Sequence, residues 1–95
     1  MNSFDVAHIY EQGGNLIIIP LESSFGAKGS TEQKKIIAKL QSCAASANLA
    51  GIVVPVWETG IGSMSFIAPM QWHSFFSSID LTFIAQNINK NLTCG

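Results

Sequence analysis

The sequence predicts an α+β domain, a two-layer α/β sandwich in which about four mixed or antiparallel strands carry two to three helices mainly on one face. Three observations predict it: β-branched runs at Asn15–Leu21 and Ile52–Trp57, glycine turns placed to fold hairpins, and a helical segment lying between the two runs. The element order reads ββαββαα over residues 1–95, a length that suits a single domain with one core.

Val6–Tyr10 and Asn15–Leu21 are apolar and β-prone, and Gln12-Gly13-Gly14 between them tolerates the positive φ of a tight hairpin turn. Leu16-Ile17-Ile18-Ile19 is apolar at successive positions, which predicts an interior strand covered on both faces and ending near Pro20. Glu22–Gly29 is a glycine-containing loop. Ser30 is placed to cap the next helix, with Gln33 reaching back as in a capping box. Ile36, Ile37, Leu40, Ala44 and Ala47 recur at helical spacing, Lys35, Lys39 and Ser42 fall on the other side, and the helix is expected to end near Asn48.

Ile52–Trp57 is the next strand. Pro55 removes a ladder donor from its middle, which predicts an edge strand or a bulge. Thr59-Gly60-Ile61-Gly62 then turns the chain into Met64-Ser65-Phe66-Ile67. Pro69 opens a short helix that places Trp72, Phe75, Phe76 and Ile79 on one face. Asp80 is placed to cap a last helix carrying Leu81, Ile84, Ala85, Ile88 and Leu92. Leu81-Thr82-Phe83-Ile84 also reads as a strand, which would make the order from Asn15 a ferredoxin-like βαββαβ.

Charge is the unusual quantity. Charged residues make up 12% of the chain against about 25% in ordinary globular proteins, while the hydrophobic fraction of 47% is typical. Ser, Thr, Asn and Gln fill much of the surface instead. Neutral polar groups are cheaper to desolvate than ions, so such a surface suits contact with another chain. The net charge is −1, and the five basic residues are all lysines. Arginine, the residue that most suits bidentate recognition of phosphate and guanine, is absent, which disfavours nucleic acid as a partner.

The first residues lack the basic segment and apolar stretch of a secretory signal, and no apolar run approaches the ~20 residues that span a bilayer. A cytoplasmic location, no membrane association, and reduced thiols at Cys43 and Cys94 are the corresponding expectations. No spacing of Cys or His matches a metal site, and neither a metal nor a cofactor is expected. No nucleophile elbow is present, so no residue is assigned a catalytic role.

A strand-helix-strand crossover makes Asn15–Leu21 and Ile52–Trp57 parallel and gathers their C-terminal ends. Glu22, Lys28, Ser30 and Glu58 should therefore share one edge of the sheet, where ligands of open α/β sheets collect. The loop does not follow the P-loop order, because Lys28 precedes Gly29 rather than following the last glycine. The composition favours a small non-enzymatic domain that associates with itself as a homo-oligomer or with a protein partner, in a regulatory or adaptor role, with Trp57, Trp72, Phe75 and Phe76 as candidate interface residues. The alternative is a small-ligand or anion-binding protein, or a small enzyme, using the edge around Glu22, Lys28, Ser30 and Glu58. A concave pocket at that edge would favour the alternative.

Overall fold

The computed structural model describes residues 2–94. It is an α+β domain with a five-stranded mixed sheet in the order β4-β3-β2-β1-β5, whose strands are β1 (Asn2–Glu11), β2 (Gly14–Pro20), β3 (Ile52–Gly60), β4 (Ser63–Phe66) and β5 (Lys90–Cys94). The helices are α1 (Ser30–Ser46), α2 (His73–Ser77) and α3 (Leu81–Gln86), with single turns of 3-10 helix at Ser23–Ala27 and Met70–Trp72.

The β1–β2 turn is the two-residue Gln12-Gly13, with φ of 49° and 82°, and both positive values belong to the type I′ turn that matches strand twist. β2 and β3 run parallel and adjacent, from Leu16↔Ile52 to Pro20↔Val56, as the α1 crossover requires. The ferredoxin-like alternative does not fit. Its parallel strands are split by a third strand, whereas β2 and β3 are direct neighbours and β1 separates β2 from β5.

Helices cover both faces of the sheet, which corrects the two-layer expectation. Ile17, Ile19, Val53 and Leu92 pack with Leu40 and Ala44 of α1, while Leu16, Ile18, Val54 and Val56 pack with Trp72, Phe76 and Ile84. The cause is visible in β2 itself. Four consecutive apolar residues present two apolar faces, and one helical layer can cover only one of them.

Three local expectations are also revised. Ser30 is the first residue of α1 rather than its cap. Gly29 precedes the helix, and Gln33 Nε2 donates to the Phe25 carbonyl at 3.0 Å instead of returning to Ser30. Pro55 lies in an interior strand, because β4 covers that side of β3. The Pro55 carbonyl accepts from Ile67 N at 3.2 Å, so the missing amide of Pro55 falls where the β3–β4 ladder ends. The C-terminal segment is helix and then strand: the Asp80 carboxylate accepts from Phe83 N at 2.8 Å, α3 ends at Gln86, and Leu92 belongs to β5.

Asn89 makes the change from helix to strand. Its amide nitrogen donates to the Val6 carbonyl at 3.0 Å, its side-chain Oδ1 accepts from His8 N at 2.9 Å, and its Nδ2 donates to the His8 carbonyl at 2.8 Å. The side chain thus stands in for a strand residue opposite His8. β5 then pairs with β1 from Val6↔Lys90 to Asn2↔Cys94.

Cys94 at the end of β5 is joined to Cys43 of α1 in a disulfide, with a Cα–Cα distance of 5.6 Å. This overturns the expectation of two reduced thiols. The cysteines lie far apart in sequence, and only the return of β5 beneath α1 brings them together. No helix among the described residues is long and apolar enough to cross a membrane.

Candidate functional site

β1 divides its pairing between two partners. Ala7–Glu11 pair with β2, whereas Asn2–Val6 pair with β5. Register and chemistry explain the division. The tight turn makes Glu11/Gly14 a pair that exchanges hydrogen bonds, and alternation makes Ile9/Leu16 and Ala7/Ile18 the next such pairs. The following pair would be Asp5/Pro20, but Pro20 has no amide hydrogen. β2 instead continues along β3, with Leu21 N donating to the Val56 carbonyl at 2.8 Å. The first half of β1 diverges with β5 and leaves a gap in the sheet.

A cleft of about 800 Å³ occupies this gap. One wall is Phe4, Leu21, Ile36 and Leu40, from the side packed under α1, and the other is Leu81, Ala85 and Ile88, from the side of α3. Pro20, Phe25 and Cys94 complete the apolar lining. The cleft therefore passes between the two cores rather than lying on one face. Its charged groups are Asp5, Glu22, Lys28 and Lys39, two of each sign, and all four residues are exposed.

Of the residues proposed from the sequence, Glu22 and Lys28 line this cleft, together with Ser24 of the same loop. Lys28 Nζ stands 3.8 Å from Glu32 of α1, an exposed ion pair of the kind that contributes about 0–1 kcal/mol. Ser30 and Glu58 are not on the lining. Glu58 faces the β3–β4 turn, where its Oε2 accepts a long hydrogen bond of 3.4 Å from Gly62 N. Glu22 and Glu58 therefore form no acid-base pair across the cleft.

The aromatic residues fall mostly inside. Trp57, Trp72 and Phe76 are 7%, 5% and 1% exposed, and only Phe75 is half-buried. Trp57 stacks edge-on with Phe25 at 5.0 Å between ring centroids, which ties the cleft loop to β3. These residues hold the layers together and do not form the contact patch expected of them. The two histidines are also engaged in structure: His8 Nε2 donates to the Ala50 carbonyl at 2.8 Å and His73 Nε2 to the Ala68 carbonyl at 2.9 Å. Among the described residues, no cluster of three or more His, Cys, Asp or Glu side chains is placed to hold a metal ion.

Sequence reasoning missed Asp5, Lys39 and the apolar walls. A signal for part of this was present: counting residues outward from the Gln12-Gly13 turn puts Asp5 opposite Pro20, so the point where the strands separate follows from the hairpin register.

No protein-family model, curated protein or solved structure matches this chain.

Proposed function

We propose that this chain is a binding protein for a small, mainly apolar molecule that is neutral or zwitterionic, held in the cleft between β1 and β2. The observation that carries this reading is the cleft itself, whose volume lies in the ~300–1,000 Å³ range of small-molecule sites and whose walls come from both cores. Its charged groups balance. A ligand with a single net charge would meet two groups of its own sign as well as two of the opposite sign, and so gains little from them. Burial of an apolar body between Phe4, Ile36, Leu40, Leu81 and Ile88 supplies the favourable term, at about 25 cal/mol per Å² removed from water.

The Cys43–Cys94 bond supports surroundings oxidising enough to preserve it. Thermal shift with decanol, decanoate and decylammonium tests the reading, because a ligand favouring the folded state raises Tm by mass action. Decanol should raise Tm at least as much as either ion. Ala85→Trp, which fills the cleft from its α3 wall, should remove the effect. Equal shifts in the wild type and Ala85→Trp would contradict the proposal.

Self-association is the second reading, and the observation favouring it is the absence of Asp, Glu, Lys and Arg from Thr59 through Ile79. This uncharged stretch surrounds β4 at one edge of the sheet.

A further inference from the structure

We infer that β4 is a self-pairing edge, and that two copies of this chain join their sheets by antiparallel β4–β4 pairing about a twofold axis through Ser65. This inference is independent of the cleft.

β4 ends the sheet order, so among the described residues one side of it has no strand partner. The Ile67 N to Pro55 O bond sets which residues face inward. Ile67, Ser65 and Ser63 direct their backbone groups toward β3, leaving those of Met64 and Phe66 directed outward. Among the described residues no hydrogen bond is made to these outward groups from outside the sheet. An antiparallel pair centred on Ser65 sets Met64 opposite Phe66 of the second copy, and Phe66 opposite its Met64. Each outward amide then meets an outward carbonyl, giving four hydrogen bonds with no group left over.

The charge pattern selects a second copy as the occupant. At a twofold interface the residue on the axis meets its own counterpart and those beside it lie close to theirs, so an ionised side chain there would face its own sign. The uncharged run on both sides of β4 removes that repulsion. A charged partner would gain nothing from it. Sheet edges that stay free in other proteins are guarded by Lys, Pro or covering loops. The opposite edge here, β5, begins with Lys90, whereas Ser63–Phe66 contains neither Lys nor Pro. Ile61 and Met70, 105% and 82% exposed on the segments flanking β4, add apolar surface that pairing can cover.

The test is sedimentation velocity over a concentration series with wild type, Ser65→Lys, Ser65→Asp and an equimolar mixture of the two variants. Wild type should dimerise. Each variant alone should self-associate at least roughly tenfold more weakly, because like charges would oppose each other on the axis. The mixture should recover a one-to-one dimer, a result that an unfolded variant could not give. Wild type that stays monomeric up to its solubility limit, variants that dimerise as wild type does, or a mixture no better than its components would each overturn the inference.

Discussion

Asp5 stands opposite Pro20 in the register set by the Gln12-Gly13 turn, and the ladder between β1 and β2 stops one bonded pair short of them. Because proline cannot donate, the strands part there and the cleft opens. Pro20→Val should restore the donor and extend the ladder toward Asp5. The added hydrogen bond, about 0.5–1.5 kcal/mol, and the lost stiffness of proline in the unfolded chain, about 0.4–1 kcal/mol, nearly cancel. Stability should therefore change by no more than about 1 kcal/mol, while affinity for decanol falls. Hydrogen exchange at position 20, followed by NMR, would show whether the new amide is protected.

The disulfide closes a long loop, with the cysteines 51 residues apart. Cross-links of this span stabilise by about 4 kcal/mol through restriction of the unfolded chain. Cys43→Ala with Cys94→Ala, or reduction followed by alkylation, should lower Tm by roughly 15–30 °C. β5 should lose protection first, since it is the element that the bond fastens to α1. Thermal denaturation with and without dithiothreitol measures the effect, and equal Tm values would show that the cross-link contributes nothing.

Three glycines, Gly14, Gly26 and Gly51, sit where a Cβ has no room, and the last two are the tightest. At Gly51 φ is +131°, and an added Cβ would lie 2.5 Å from the Asn15 carbonyl oxygen, against backbone that cannot yield easily. Gly51→Ala should cost about 2 kcal/mol or more, as strained backbone and overpacking do. At Gly26 the added Cβ would strike the Trp57 indole near Nε1. Gly26→Ala should destabilise by about 1–3 kcal/mol and change tryptophan fluorescence. Urea titration followed by fluorescence reads both variants.

Asn89 joins the end of the α3 segment to β1 through two side-chain hydrogen bonds to His8. Asn89→Leu should cost about 1–3 kcal/mol by leaving both His8 backbone groups without these partners. Asn89→Asp keeps the acceptor for His8 N but loses the donor to the His8 carbonyl, so its cost should be smaller. The order of the two losses in chemical denaturation tests whether the amide acts as a surrogate strand residue.

The legible parts of the fold were those governed by local pattern. The Gln12-Gly13 turn, the doubly covered β2, the parallel β2–β3 pair and the Asp80 cap follow from residues close in sequence. The missed parts depend on long-range pairing. Lys90–Cys94 is a strand because β1 offers it an edge, and β1 reaches back to Asn2 for the same reason. Cys43 and Cys94 pair only once β5 has returned. Pro55 reads as an edge residue until β4 covers one side of β3. Glu22 and Lys28 were legible as site candidates because the crossover places their loop at the ends of the strands, whereas the apolar walls come from elements brought together only by the sheet's divergence.

An apolar ligand held in the gap between β1 and β2 would touch both cores at once. The direct measurement is an NMR titration with decanol that follows the methyl groups of Ile36 and Leu40 on one wall and Leu81 and Ile88 on the other. Saturable shifts on both walls with one dissociation constant, lost in Ala85→Trp, are the predicted result. Shifts confined to one wall, or unchanged in Ala85→Trp, would contradict it.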